Sequence, residues 1–373
     1  MVNEDRLVGL FKKLCLIDAP ALKERESVDF VASYLREMGL EVVEDDAGSK
    51  IGSNANNLIA TLKGNVPEAP RVFLSAHFDT VEPTAALVIE ERNGVFYSAS
   101  DTILGADDKA GMAPAIEAVN MLIETGAQHG DVVLLFTLAE EIGLQGAHAM
   151  DIASLGLDFG YVLDTGPPVG TFVTKTATHD KLDVVIHGKP AHSGKNPEDG
   201  VSALEVAADA ISRMRLGRVD PETTANFGLV QGGSAVNVVP AMIKLRGEAR
   251  STRVDLLDAQ VDHMVQEFER AARERGATVV IDHQRHYTAY EIPADSPVVR
   301  HAVAASSSLG FDPVLRTTLG GSDANVFNSK GVPSIVIATG MDKIHTHEEL
   351  VSRRDLVDTA RLAYAILVEA GKG

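Results

Sequence analysis

Five short apolar runs constrain this chain more than any other feature: NLIATL at 57–62, RVFLSA at 71–76, VVLLFTLA at 132–139, FGYVLD at 159–164 and SIVIAT at 334–339. Each is long enough for a strand and too short for an ordinary helix, and each is apolar at consecutive rather than alternate positions. A strand that faces water on one side alternates; one buried on both faces does not. Helical spacings lie between several of these runs. Leu7, Leu10, Phe11 and Leu14 form one such pattern, and Val28, Val31, Leu35 and Met38 form another, with Gly39 as its C-cap. The alternation predicts an α/β fold, a mainly parallel sheet sandwiched by helices.

The middle of the chain has a different texture. KLDVVIHG (181–188) alternates at period two, Val201, Leu204, Ala208 and Ile211 fit a helix, and FGLVQG and MIKLRGEAR follow as two strands. A long amphipathic helix carrying Leu257, Val261, Met264, Val265 and Phe268 then leads into TVVIDH. The order β-α-β-β-α-β is that of a small two-layer α+β domain of the ferredoxin-like kind. We therefore expect a discontinuous α/β domain of residues 1–176 and 291–373, with 177–290 inserted into it.

Charge and cysteine content narrow the classes of function. A formal net charge of −19 over 373 residues argues against a nucleic acid or an anionic membrane as partner, because either calls for a basic face. The single cysteine, Cys15, excludes an intrachain disulfide framework. The opening MVNEDRLVGLFKKL has no apolar signal core, and no run approaches the roughly 20 apolar residues of a membrane span. These features lead us to expect a cytoplasmic protein. No G-x-G-x-x-G joins the first strands to a helix and no G-x-S-x-G is present, which disfavours a dinucleotide enzyme and a serine α/β-hydrolase.

Polar residues follow the apolar runs in a pattern. RVFLSA runs into His77-Phe78-Asp79, VVLLFTLA into Glu140-Glu141, FGYVLD ends on Asp164, and SIVIAT leads to a loop holding His345. Open α/β sheets bind ligands outside the carboxyl ends of their strands. TILGADDKAGMA adds Asp107, just before an apolar helical pattern. Each piece has an ordinary alternative: an acid pair at a helix start favours the dipole, and H-x-D arises by chance. Together they make two histidines and several carboxylates, a donor set suited to Zn²⁺ or a similar divalent ion. On a strand, residues i and i+2 share a face, so Asp79 is placed to accept a hydrogen bond from His77.

With these residues assembled, the chain resembles the M20 family of dinuclear zinc peptidases and amidohydrolases, and its peptidase T-like branch most of all. The matching segments are SAHFDTVEP, TILGADDKAGMA, AEEIGLQGA, VLDTG, GKPAHSG, GGSAVNVVPA, GEARS, GGSDANVF and IHTHEE, in the family's order over about residues 75 to 350. The resemblance implies two Zn²⁺ ions, with Co²⁺ or Mn²⁺ as substitutes. It implies that Asp107 bridges them, that His77 and Asp164 bind one, and that Glu141 and His345 bind the other, His345 being selected over His347 by the H-x-x-E pattern. Glu140 becomes the general base acting on a water between the ions, and Asp79 the partner of His77. Lys109 takes no metal role and either balances the charge of Asp107 and Asp108 or pairs with a neighbouring carboxylate. From the inserted lid domain come His192 and Asn237 as oxyanion-stabilising groups and Arg250 as the holder of a substrate carboxylate. The implied reaction is hydrolysis of an amide in short peptides, tripeptides above all, by a homodimer formed through the lid. Two alternatives carry their own signatures. A deacylase or carboxypeptidase for N-acyl amino acids would use the same metal site. A silent binding protein would have lost ligands or the base, all of which are present here.

Overall fold

The apolar runs form the strands Leu58–Leu62, Val72–His77, Val132–Thr137, Phe159–Thr165 and Ser334–Ala338, buried along nearly their whole length. A computed structural model describes residues 1–372. It divides the chain into two units, one of residues 1–174, 291–317 and 322–373, the other of 175–290 and 318–321.

The larger unit holds an eight-stranded sheet in the order Glu41–Glu44, Leu58–Leu62, Val132–Thr137, Val72–His77, Phe159–Thr165, Ser334–Ala338, Thr171–Lys175, Val314–Thr317. Its four central strands are parallel, in register Val72↔Val132, Val72↔Phe159 and Ser334↔Gly160. The flanks are antiparallel: Leu58–Leu62 opposes Val132–Thr137, and Thr171–Lys175 opposes Ser334–Ala338. The sheet is thus mixed. Burial on both faces removes alternation whichever way a strand runs, so orientation left no mark in NLIATL.

Helices cover the sheet as the 3.6-residue spacings predict. Glu4–Cys15 buries Leu7, Leu10, Phe11 and Leu14, and Arg25–Glu37 buries Val28, Val31 and Leu35 before Gly39 turns the chain at φ 87°. Helix Ala106–Thr125 is buried on nearly every side, with Ala110, Ala113, Ala115 and Ala118 permitting close approach, and it packs against Arg353–Ala370 and Glu4–Cys15. Its start departs from helical geometry at Asp107 and Asp108. Among the described residues no helix is long and apolar enough to cross a membrane.

The smaller unit is a five-stranded sheet in the order Gly217–Asp220, Thr223–Gly232, Met242–Ser251, Thr178–His187, Thr278–Tyr287, with antiparallel pairing throughout. Thr178–His187 alternates buried and half-buried residues, as one covered face requires. Helices Ala203–Arg213 and Val254–Arg275 supply the cover, closing a core of Leu182, Val184, Ile186, Leu257, Met264 and Phe268. Gly217–Asp220 is an additional short strand that the sequence reading left unassigned.

Candidate active site

Because the four central strands run parallel, their carboxyl ends lie along one edge of the sheet. His77 is the last residue of its strand, Asp164 the penultimate residue of the next, Glu140 and Glu141 follow Thr137 by a few residues, and His345 lies in the loop after Ala338. Asp107 comes in from the start of helix Ala106–Thr125.

The side chains converge. His77, Asp107 and Asp164 have donor atoms within 4.8 Å of one another, as do Asp107, Glu141 and His345, and also His77, Glu140 and Glu141. Asp107 lies between the first two groups: Oδ1 is 3.1 Å from His77 Nε2 and Oδ2 is 3.2 Å from His345 Nε2. His345 Nε2 is also 2.9 Å from Glu141 Oε1. His347, the other histidine of that loop, faces Asp101 at 3.2 Å instead.

Asp79 sits differently from the strand-face expectation. The strand ends at His77, so the alternation stops there. His77 Nδ1 is 2.8 Å from the Asp79 carbonyl oxygen and 3.5 Å from its carboxylate. The buried carboxylate also accepts the backbone N–H groups of Glu140 at 2.9 Å and Glu141 at 3.0 Å. Two neighbouring N–H groups are taken in the same way: Leu138 donates to Asn57 Oδ1 at 3.0 Å and Ala139 to Glu24 Oε1 at 3.1 Å. Four successive backbone donors, 138 to 141, thus end on side chains rather than on a sheet or helix, and Ala139 takes a left-handed φ of 51°.

Other residues around the cluster escaped the sequence reading. Glu349, fully buried, accepts the N–H groups of Gly105 at 2.6 Å and Asp107 at 2.9 Å. Asp323, also buried, bonds the Thr137 hydroxyl through one oxygen while the other lacks a partner. Lys109, expected to balance the neighbouring acids, donates to the Phe78 carbonyl, and burial lowers its pKa. Glu349 had a usable signal, an acid doublet before the apolar Leu350-Val351; Glu24, in the charged stretch KERE, had none.

The electrostatics follow from burial. Desolvation pushes the carboxyls of Glu140, Asp108 and Asp164 well above their ordinary range, with neighbouring acids adding to the shift in each case. It raises Asp323 to about 6 and Glu349 to about 7. Burial opposes ionisation of Asp107 too, but His345 and His77 outweigh it and hold its carboxyl low. His345 is raised to about 10 by Asp107 and Glu141. Neither oxygen of Asp108 has a hydrogen-bond partner. A dense group of acids with too few protein cations is what divalent metal ions neutralise, and imidazole with carboxylate is their donor chemistry. The residues fit such ions.

The remaining sequence-derived residues lie in the smaller unit. His192 and Asn237 are neighbours: His192 bridges to Val238, and Ser193 N–H donates to the Asn237 carbonyl at 3.0 Å. Both side chains are exposed. Arg250, on strand Met242–Ser251, pairs with Glu248 at 2.9 Å and reaches the Leu319 carbonyl at 3.3 Å and the Tyr287 hydroxyl at 3.4 Å. Gly321 allows the Tyr287 ring a close approach, since a Cβ there would lie 2.1 Å from it.

The pattern of Peptidase family M20/M25/M40 matches residues 73–369. Over 372 residues, covering 100% of both chains, the sequence is 38% identical to the uncharacterized protein YqjE of Bacillus subtilis. A tripeptidase from Staphylococcus aureus shares 36% identity and a TM-score of 0.96 over 100% of both chains. An aminopeptidase PepT from Bacillus cereus shares 37% and a TM-score of 0.91 over 99% of each.

Proposed function

The chain belongs to Peptidase family M20/M25/M40, and from that premise we propose that it is a dinuclear metal aminopeptidase acting on short peptides, tripeptides in particular. The observation that carries the reading is the placement of Asp107, whose two carboxylate oxygens face His77 on one side and His345 on the other. A carboxylate can offer one oxygen to each of two ions; an imidazole cannot. His77 and Asp164 would hold one ion, and Glu141 and His345 the other, with Asp107 shared. The tripeptide preference rests on the likeness to the Staphylococcus aureus tripeptidase and the Bacillus cereus aminopeptidase.

When bound, a pair of divalent cations such as Zn²⁺ supplies a nucleophile from solvent at neutral pH and polarises the scissile carbonyl. The chain supplies the proton handling. Glu140 is held by its own N–H on Asp79, beside Glu141 but free of its ion-pairing role. Its half-buried, acid-crowded carboxyl keeps a proton more readily than an exposed glutamate, which suits a group that takes a proton from the attacking solvent and returns it to the leaving amine. Asp79 fixes the acid pair through the backbone. Arg250 would receive a substrate carboxylate by a two-point fork, and His192 and Asn237 would stabilise the developing oxyanion. A homodimer through the smaller unit belongs to the same reading; Leu229 and Val230 there are 59% and 56% exposed.

The test is Glu140→Gln. Turnover of a tripeptide should fall by about 10³-fold or more while two metal equivalents stay bound. Near-normal turnover would remove Glu140 as the base. A side-by-side panel of tripeptides, dipeptides and N-acyl amino acids with Zn²⁺, Co²⁺ or Mn²⁺ decides the substrate class.

A further inference from the structure

Glu349 lies four residues beyond His345 and hydrogen-bonds no side chain of the cluster. Its carboxylate is spent on main chain: Oε2 accepts the Gly105 N–H at 2.6 Å and Oε1 the Asp107 N–H at 2.9 Å. Among the described residues it makes no ion pair within 4.0 Å, and its side chain is fully buried. A bare carboxylate in such a place is costly unless its acceptor capacity is used, and here both oxygens are used on one short segment.

That segment is irregular. Gly105 has φ 73°, and Asp107 and Asp108 leave helical geometry although the helix continues behind them. The N–H groups at a helix start have no partner within the helix, and here the turn does not satisfy them locally. Glu349 supplies both acceptors. The loop that carries Glu349 is itself tied at its base, where Asp342 and Leu350 exchange N–H···O bonds of 2.9 and 3.1 Å. His345 lies inside this closed loop, and Asp107 is bonded to its far end.

We infer that Glu349 is a positioning residue that locks the backbone of Asp107 to the His345 loop, so that both carboxylate oxygens of Asp107 keep their separate bearings toward His77 and His345. This rests on the dinuclear reading above. Glutamine at 349 would not substitute: one oxygen could accept one N–H, but the amide nitrogen would meet the other N–H as a second donor. Aspartate would keep both acceptors on an arm about 1.5 Å shorter.

The experiment uses full-length wild-type, Glu349→Gln and Glu349→Asp proteins. Each is stripped of metal, melted, and titrated with Co²⁺ while its visible spectrum is recorded. Expected for E349Q is a metal-free Tm within a few degrees of wild type, one Co²⁺ equivalent weakened about 10–100-fold, an altered ligand-field spectrum, and a lower kcat on a tripeptide at unchanged KM. E349D should fall between the two. Wild-type affinity and spectrum in E349Q would overturn the inference. So would a loss of metal binding that merely tracks a collapse of the metal-free Tm in both variants. Wild-type protein that takes up no Co²⁺ would overturn the dinuclear reading itself, a result distinct from either.

Discussion

Gly111 offers a sharp test of how tightly the cluster is built. It lies on helix Ala106–Thr125 one turn beyond Asp107, where a Cβ would stand 2.1 Å from the Leu163 carbonyl oxygen and 2.4 Å from Asp108 Oδ1. Contacts under 3.0 Å are essentially never seen for real Cβ atoms, so Gly111→Ala requires the helix and the strand to separate by about 0.9 Å, the difference between 2.1 and 3.0 Å. The strand cannot yield freely, because Phe159–Thr165 is hydrogen-bonded between Val72–His77 and Ser334–Ala338. The helix is held from behind by Arg353–Ala370. However the displacement is shared, it falls between Asp107 on the helix and Asp164, the residue after Leu163. Overpacking costs about 1–3 kcal/mol, and the gain in helix propensity from glycine to alanine returns up to about 1 kcal/mol. Net destabilisation should therefore stay below about 3 kcal/mol. Misplacing reacting groups by about 1 Å costs on the order of 10²-fold in rate, equivalent to about 2.7 kcal/mol of barrier. The assay is kcat/KM on a tripeptide with added Zn²⁺, alongside thermal melting. Gly9→Ala provides the control, since a Cβ at Gly9 meets nothing within 4 Å in helix Glu4–Cys15. That variant should gain about 0.5–1 kcal/mol and keep its activity. Wild-type kcat/KM in G111A would refute the reasoning: it would mean that the Asp107–Asp164 separation does not set the rate.

Two further outcomes follow from the same geometry. In the metal-free protein His345 is raised to about 10 by Asp107 and Glu141, so binding an ion at pH 8 must release its proton. Calorimetric titration in two buffers of different ionisation enthalpy should find about one proton or more released, and none released would contradict the assignment. The sign for stability is that of a raised group: the contribution is full below the unfolded value near 6.5 and is lost as pH rises through about 10, so the metal-free Tm should fall across that window. Glu24 gives the second outcome. Its Oε1 accepts from Leu22 at 2.9 Å and Ala139 at 3.1 Å, and Oε2 accepts the Ser53 hydroxyl at 2.9 Å. Glutamine can accept both N–H groups and donate to Ser53, so Glu24→Gln should remain near wild type. Glu24→Ala, which leaves buried donors unmatched, should lose about 1–3 kcal/mol and at least tenfold in kcat; equal behaviour of the two variants in melting and kinetics would sink this account.

The parts of the fold visible in the sequence are those set by burial alone. VVLLFTLA and SIVIAT announce themselves because a strand covered on both faces has no polar side. What faces the carboxyl ends could be read too, since His77, Glu140, Asp164 and His345 each follow such a run. Strand direction at the flanks was not readable, because NLIATL is as buried antiparallel as it would be parallel. The short pairing of Ile89–Arg92, Val95–Ser98 and Leu350–Ser352 was missed as well, since strands of three or four residues carry too few positions to show a period. Glu24, Asn57 and Glu349 failed for another reason. Each is one polar residue among others, and only the tertiary fold decides that its acceptors meet buried main-chain donors. Asp79 was recognised for its neighbour His77, while its carboxylate serves the acid pair on the next strand.

The handling of residues 138 to 141 has an evolutionary consequence. What the rest of the molecule grips there is main chain, which every amino acid but proline carries in the same form, so the grip places no demand on the identity of Leu138 or Ala139 as donors. The demand is transferred to positions 24, 57 and 79, three scattered points that touch no substrate in our reading. Of these, 24 and 57 precede the stretch 73–369 that the family pattern covers. A transplant of that stretch alone into a new host would carry the entire acid-and-imidazole set and leave the backbone just ahead of Glu140 and Glu141 without two of its three anchors.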